Sequence, residues 1–180
     1  MASASLIEQA IKAAVGIVTA GIGAYIALWL KEKFDRSGQT RAADLDEYRK
    51  ATASLTDAVI ATLQAPDFLA GMSRRAFFAP LHDLSYAYQG ERQLIFHDPL
   101  LNEAFRNVLA KSDTFLMKVS ELTVPEGDQM TTRSRAERVY PTDDSRRRSA
   151  EEAKTLDSQA KELAKICRAF VDEGKRRLRA

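Results

Sequence analysis

Ala13 to Leu30 is a run of eighteen residues without a charged side chain. From Lys31 onward the apolar positions thin into a pattern recurring every three or four residues. A helix rising about 1.5 Å per residue carries the run across roughly 27 Å, close to a bilayer's hydrocarbon thickness. Its apolar residues cover every face instead of forming a stripe, which a helix in a small soluble core does not require. Tyr25 and Trp29 lie near the far end, with Lys31 and Lys33 just beyond, as where a span meets lipid headgroups. Residues 1–36 therefore read as a single transmembrane anchor helix. A secretory signal is the poorer reading, because Lys12 and Glu8 leave no positive leader and no small-residue cleavage site follows.

The remainder, 37–180, reads as an all-α, antiparallel four-helix bundle. The first helix, 40–64, has Leu45, Tyr48, Thr52, Leu55, Val59 and Thr62 at alternating spacings of three and four. Pro66 closes it. Ser73 caps a helix over 73–89 with Phe77, Leu81, Leu84 and Tyr88 on its seam, and Pro80 predicts a kink or a start displaced to Ala79. Asp98-Pro99 is an acid cap followed by proline at the first helical position, and it opens a helix over 99–123. The seam there is Leu101, Phe105, Val108, Ser112, Phe115, Val119 and Leu122, and Pro125-Glu-Gly127 ends it. Ser149 and Glu152 match a capping box for the last helix, 149–178, whose seam is Ala153, Leu156, Ala160, Leu163, Cys167, Phe170 and Gly174. No alternating strand pattern is visible, and residues 125–148 lack any apolar period, so they read as a mobile loop.

Charge changes this picture in two places. Lys31, Lys33, Arg36 and Arg41 follow the apolar run against Lys12 alone before it. That bias puts the N-terminus outside and the bundle in the cytoplasm of a bacterial inner membrane. Residues 37–123 carry 9 basic and 11 acidic side chains, whereas 124–180 carry 14 and 11. The basic excess is concentrated in Arg133, Arg135, Arg138, Arg146, Arg147 and Arg148, a candidate partner loop. Lys175, Arg176, Arg177 and Arg179 form a second group at the chain end, placed by the helix count beside anionic lipid. The single cysteine, Cys167, falls on the last seam and reads as packing. Within the apolar run, Gly16, Ala20 and Ala24 recur every four residues, with Gly23 and Ala27 beside them, a spacing that lets two such helices approach and self-associate.

Catalytic signatures are sparse. No phosphate-cradling glycine loop, Cys/His metal spacing or Ser/His/Asp arrangement occurs, so no cofactor or metal is expected. One stretch stands apart: Arg92-Gln-Leu-Ile-Phe-His97 resembles the active motif of the HEPN ribonucleases, helical bundles that commonly dimerise to pair two such motifs. The resemblance implies His97 as acid/base and Arg92 as phosphate holder. Arg75 and His82, with six residues between them, fit the same loose pattern. Three functions follow in order: a non-catalytic, self-associating scaffold or adaptor at the membrane, without nucleic acid as partner; a tethered HEPN-like ribonuclease; and a membrane-perturbing, pore-forming effector.

Overall fold

The computed structural model describes residues 38–88 and 95–179. Contacts divide the chain into two units, Met1–Ala42 and Ala43–Ala180. Helix α1 covers residues 38–54 and α2 runs Asp57–Gln64. Strand β1 (Met72–Ser73) leads through a π-helical turn, Arg74–Phe78, directly into α3 (Ala79–Ala87). Helix α4 (Pro99–Leu122) is followed by β2 (Val124–Glu126), β3 (Gln129–Thr131), the short α5 (Arg135–Val139) and the long α6 (Asp143–Leu178).

The core follows from two helical seams. On α4 the buried positions include Leu101, Phe105, Val108, Ser112, Phe115 and Val119, and on α6 they include Ala153, Leu156, Ala160, Leu163, Cys167, Phe170 and Gly174. Ion pairs Asp98–Arg177 at 2.8 Å and Lys111–Glu162 at 3.2 Å join the start of α4 to the end of α6 and their middles to each other, so the two helices run antiparallel. Two groups of aromatic rings fill the ends of the core. Phe68, Phe77, Phe78 and Phe115 meet at one, with centroids 4.6 to 6.1 Å apart, mostly edge to face. Tyr48, Tyr88, Phe96, Phe105 and Phe170 meet at the other. Such tilted pairs contribute about 0.5–1.5 kcal/mol each beyond their area burial. Cys167 is fully buried and its thiol is pushed up to about 12 by that burial, so it packs as a small apolar group.

Several expectations need correction. No helix among the described residues is long and apolar enough to cross a membrane. The transmembrane, single-pass architecture is therefore withdrawn, and Ala13 to Leu30, with Trp29, Lys31, Lys33 and the small residues Gly16, Ala20, Gly23, Ala24 and Ala27, lies outside the described residues. Nor is the domain a four-helix bundle without strands: β1, β3 and β2 form a small antiparallel sheet in that order, pairing Met72 with Met130 and Glu126 with Gln129. The β2–β3 connection is two residues long, and Gly127 there takes φ +60, where a side chain would be strained.

The helix expected over 40–64 is two helices. Thr56 breaks it by capping α2, its hydroxyl accepting from the Val59 amide, and Ala51, Ile60 and Leu63 are buried where Thr52 and Thr62 are not. The stretch 125–148 is not a loop. Thr142 and Ser145 form a reciprocal cap that starts α6 at Asp143, two turns before Ser149. Ser149 is instead buried inside α6, donating to Glu137 Oε1 at 2.6 Å while its carbonyl accepts from Thr132 Oγ1. That hydrogen bond is the first reason the Glu137 carboxyl sits below its ordinary range.

Candidate functional site

Pro80 shapes the surface that most resembles a binding site. In an α-helix its ring would strike the carbonyl four residues back, and it has no amide to donate. The chain accommodates it by widening the preceding turn: the Ala79 amide reaches back five residues to the Arg74 carbonyl, and regular α-helix begins only at Ala79. Of the two outcomes expected from Pro80, a kink or a start displaced to Ala79, the displaced start is found, and the turn before it is π-helical. Ser73 fixes the turn at its other end. Its hydroxyl accepts from the Ala76 amide and donates to Asp128 Oδ2 at 3.0 Å, while the Arg74 amide donates to the Asp128 carbonyl at 2.7 Å. The π-turn is thus stitched to the β2–β3 turn.

A groove of about 690 Å³ opens where the π-turn, α3, the C-terminal part of α4 and β3 meet. Its apolar surface comes from Phe78, Ala79, Leu116, Val119 and Met130, and Phe78 is backed by Phe77 and Phe68 of the core. Its polar side chains are Arg74, Arg75, His82, Asp83, Ser120 and Asp128. Arg74 and Arg75 are exposed and neither makes an ion pair with a described residue. By contrast Arg138 faces Glu126, Arg147 faces Asp144, Arg168 faces Asp57 and Arg177 faces Asp98. His82 is exposed, its ring parallel to that of Tyr86 at 6.5 Å. The groove therefore offers two guanidinium groups with no carboxylate partner among the described residues beside an apolar wall, chemistry for holding an anionic group attached to an apolar body.

The sequence-derived candidates fall in several places. Arg75 and His82 come together on the groove. Arg92 lies outside the described residues, so it cannot be placed against His97, which is exposed and whose amide is held by Asp44. Of the arginines assigned to a partner loop, Arg146, Arg147 and Arg148 belong to α6 and face Asp143, Asp144 and Glu152 one turn along. Arg133 and Arg135 lie between β3 and α5 and at the start of α5. At the chain end Arg176 pairs with Glu173, and Arg177 is committed to Asp98 and Glu173. Of the four cations there, Lys175, Arg176 and Arg179 are exposed. No group of His, Cys, Asp and Glu among the described residues is arranged to hold a metal ion.

Two buried polar residues escaped the sequence reading. Asp44 on α1 is only 4% exposed, and its two carboxylate oxygens accept from the amides of His97 and Asp98 at 2.7 and 3.0 Å. Asn102 accepts from the amides of Ile95 and Phe96 through Oδ1. Together they fasten the entry to α4. Asp98 in turn caps α4 and meets Arg177. Burial pushes the Asp98 carboxyl up, but the Leu101 amide, Arg177 and the Leu100 amide jointly outweigh it and hold the group below its ordinary value.

Compared with known proteins, the chain matches no family model, no curated protein and no solved structure.

Proposed function

We propose that the domain is a non-catalytic helical binding module, an adaptor, whose working surface is the groove between α3 and α4. The observation that supports this reading most is the pair Arg74 and Arg75, without carboxylate partners among the described residues, set against Phe78, Leu116, Val119 and Met130. An exposed guanidinium is adequately solvated alone. Two adjacent ones at the rim of an apolar trough recognise an anion whose attached apolar part removes that wall from water.

Anilinonaphthalene sulfonate, a fluorescent anion with an apolar body, tests the groove directly. The folded full chain is expected to enhance its fluorescence, with binding weakened several-fold by Arg74→Gln with Arg75→Gln and also by Leu116→Gln. Binding unchanged by either variant, with the helical circular dichroism intact, would remove the groove as the working surface.

One observation favours a second reading. Arg75 and His82, with six residues between them and fitting the loose pattern of the motif that resembles HEPN ribonucleases, line the same groove. There His82 would move the proton and Arg75 would hold the phosphate. Asp83 and Asp128 line the groove too and repel a polyphosphate, which ranks this reading second. RNA cleavage by the full chain, abolished by both His82→Ala and Arg75→Ala, would reverse the order.

A further inference from the structure

The partner that fits the groove can be read from how its charges and apolar surface are distributed. We propose that the occupant is an amphipathic helix of another protein with acidic residues at one end; this rests on the groove being a site for an anion joined to an apolar body.

Shape comes first. The trough has a helix on either side, α3 and the end of α4, and an amphipathic helix presents an apolar stripe of matching form to such a cleft. Met130 on its surface adapts to different side chains. Apolar surface also continues past the lining. Tyr86 lies one turn beyond His82 on α3 and is 72% exposed. An inorganic anion or a short nucleotide makes no use of that extension, whereas a helix several turns long covers it.

Charge decides the rest. Arg74 and Arg75 sit together where the π-turn meets the β2–β3 turn, so the attraction for carboxylates is confined to one end. Asp83 and Asp128 line the same groove and oppose an evenly charged polyanion. A strand of RNA, with a phosphate at every nucleotide, meets Asp83 on α3 as well as Asp128 beside the arginines. A helix can put its acids opposite the arginines and leave apolar residues elsewhere. Complementarity of this kind sets orientation and discriminates between partners more than it raises affinity.

The test uses the full chain and a labelled synthetic peptide with leucines at helical i, i+3, i+4 and i+7 positions and glutamates confined to its first turn. The control peptide has lysines in place of those glutamates, and oligouridine RNA is the third probe. Fluorescence anisotropy is expected to show the acidic peptide binding about tenfold or more tightly than the lysine peptide. Arg74→Glu with Arg75→Glu should reverse that order, a gain of binding that misfolding cannot imitate. Equal binding of both peptides, or an order unchanged by the charge reversal, overturns the proposal. So does RNA that displaces anilinonaphthalene sulfonate where neither peptide does. If the dye binds in the groove and no peptide binds, the helical partner is wrong and the groove reading stands; if the dye too ignores the groove variants, both fail.

Discussion

Gly174→Ala is expected to destabilise the protein although it improves helix propensity. A Cβ at this position would overlap Cε2 and Cδ2 of Tyr48 and lie 2.8 Å from Cζ. The ring cannot retreat freely. Its hydroxyl donates to the Val171 carbonyl at 2.8 Å, the side chain is buried, and it packs 5.7 Å from the Phe170 ring. Glycine is therefore required by the close approach of α1 to α6, and nothing about its backbone conformation demands it. Overpacking of this kind costs about 1–3 kcal/mol, and displacing the hydroxyl from its acceptor adds about 1 kcal/mol. Alanine regains about 1 kcal/mol in the helix, which leaves a net loss of about 1–3 kcal/mol in urea unfolding. Combining it with Tyr48→Ala gives the sharper result. Once the ring is gone, Gly174→Ala should become neutral or stabilising; a loss as large as in the parent protein would show that the contact is not the cause.

Asp44→Ala should cost about as much or more. The carboxylate, itself buried, satisfies the amides of His97 and Asp98 at once, and alanine leaves both donors without their acceptor at this part-buried corner. An unsatisfied buried donor costs about 1–3 kcal/mol, so two cost about 2–6 kcal/mol in full burial; with water recovering part of this at a part-buried corner, about 2–4 kcal/mol is expected. Asp44→Asn retains one acceptor oxygen and should lose about half as much. Urea midpoints of the two variants check the ranking. If asparagine costs as much as alanine, the negative charge matters more than the two acceptors. Because Asp98 also caps α4 and binds Arg177, weakening this corner loosens α1, α4 and the end of α6 together.

The long helices were legible because each carries its own local signals. Asp98-Pro99 states where α4 begins, and heptad spacing picked out buried residues on α4 and α6 from Leu101 to Val119 and from Ala153 to Gly174. Strands of two or three residues are too short to show an alternating pattern, so β1, β2 and β3 were invisible. Ser149 misled because a serine three residues before a glutamate has the same pattern at a helix start and inside a helix. Only the presence of Glu137 and Thr132 beside it distinguishes the cases. Asp44 and Asn102 look like ordinary surface residues in the sequence, since the amides they serve are brought to them by the fold. The site was half legible. Spacing singled out Arg75 and His82, and Pro80 announced the displaced start at Ala79, but the wall from Leu116, Val119 and Met130 is supplied by distant segments.

The central claim is that the molecule works through the groove formed by the π-turn, α3 and the end of α4. Amide chemical shifts of the isotopically labelled full chain, followed as the acidic amphipathic peptide is added, test it most directly. Perturbations are expected to cluster at residues 74–83, 116–120 and 128–130. Perturbations centred instead on the opposite-end depression lined by Leu100, Ala104, Ile166 and Phe170, or spread evenly along the helices, would contradict it.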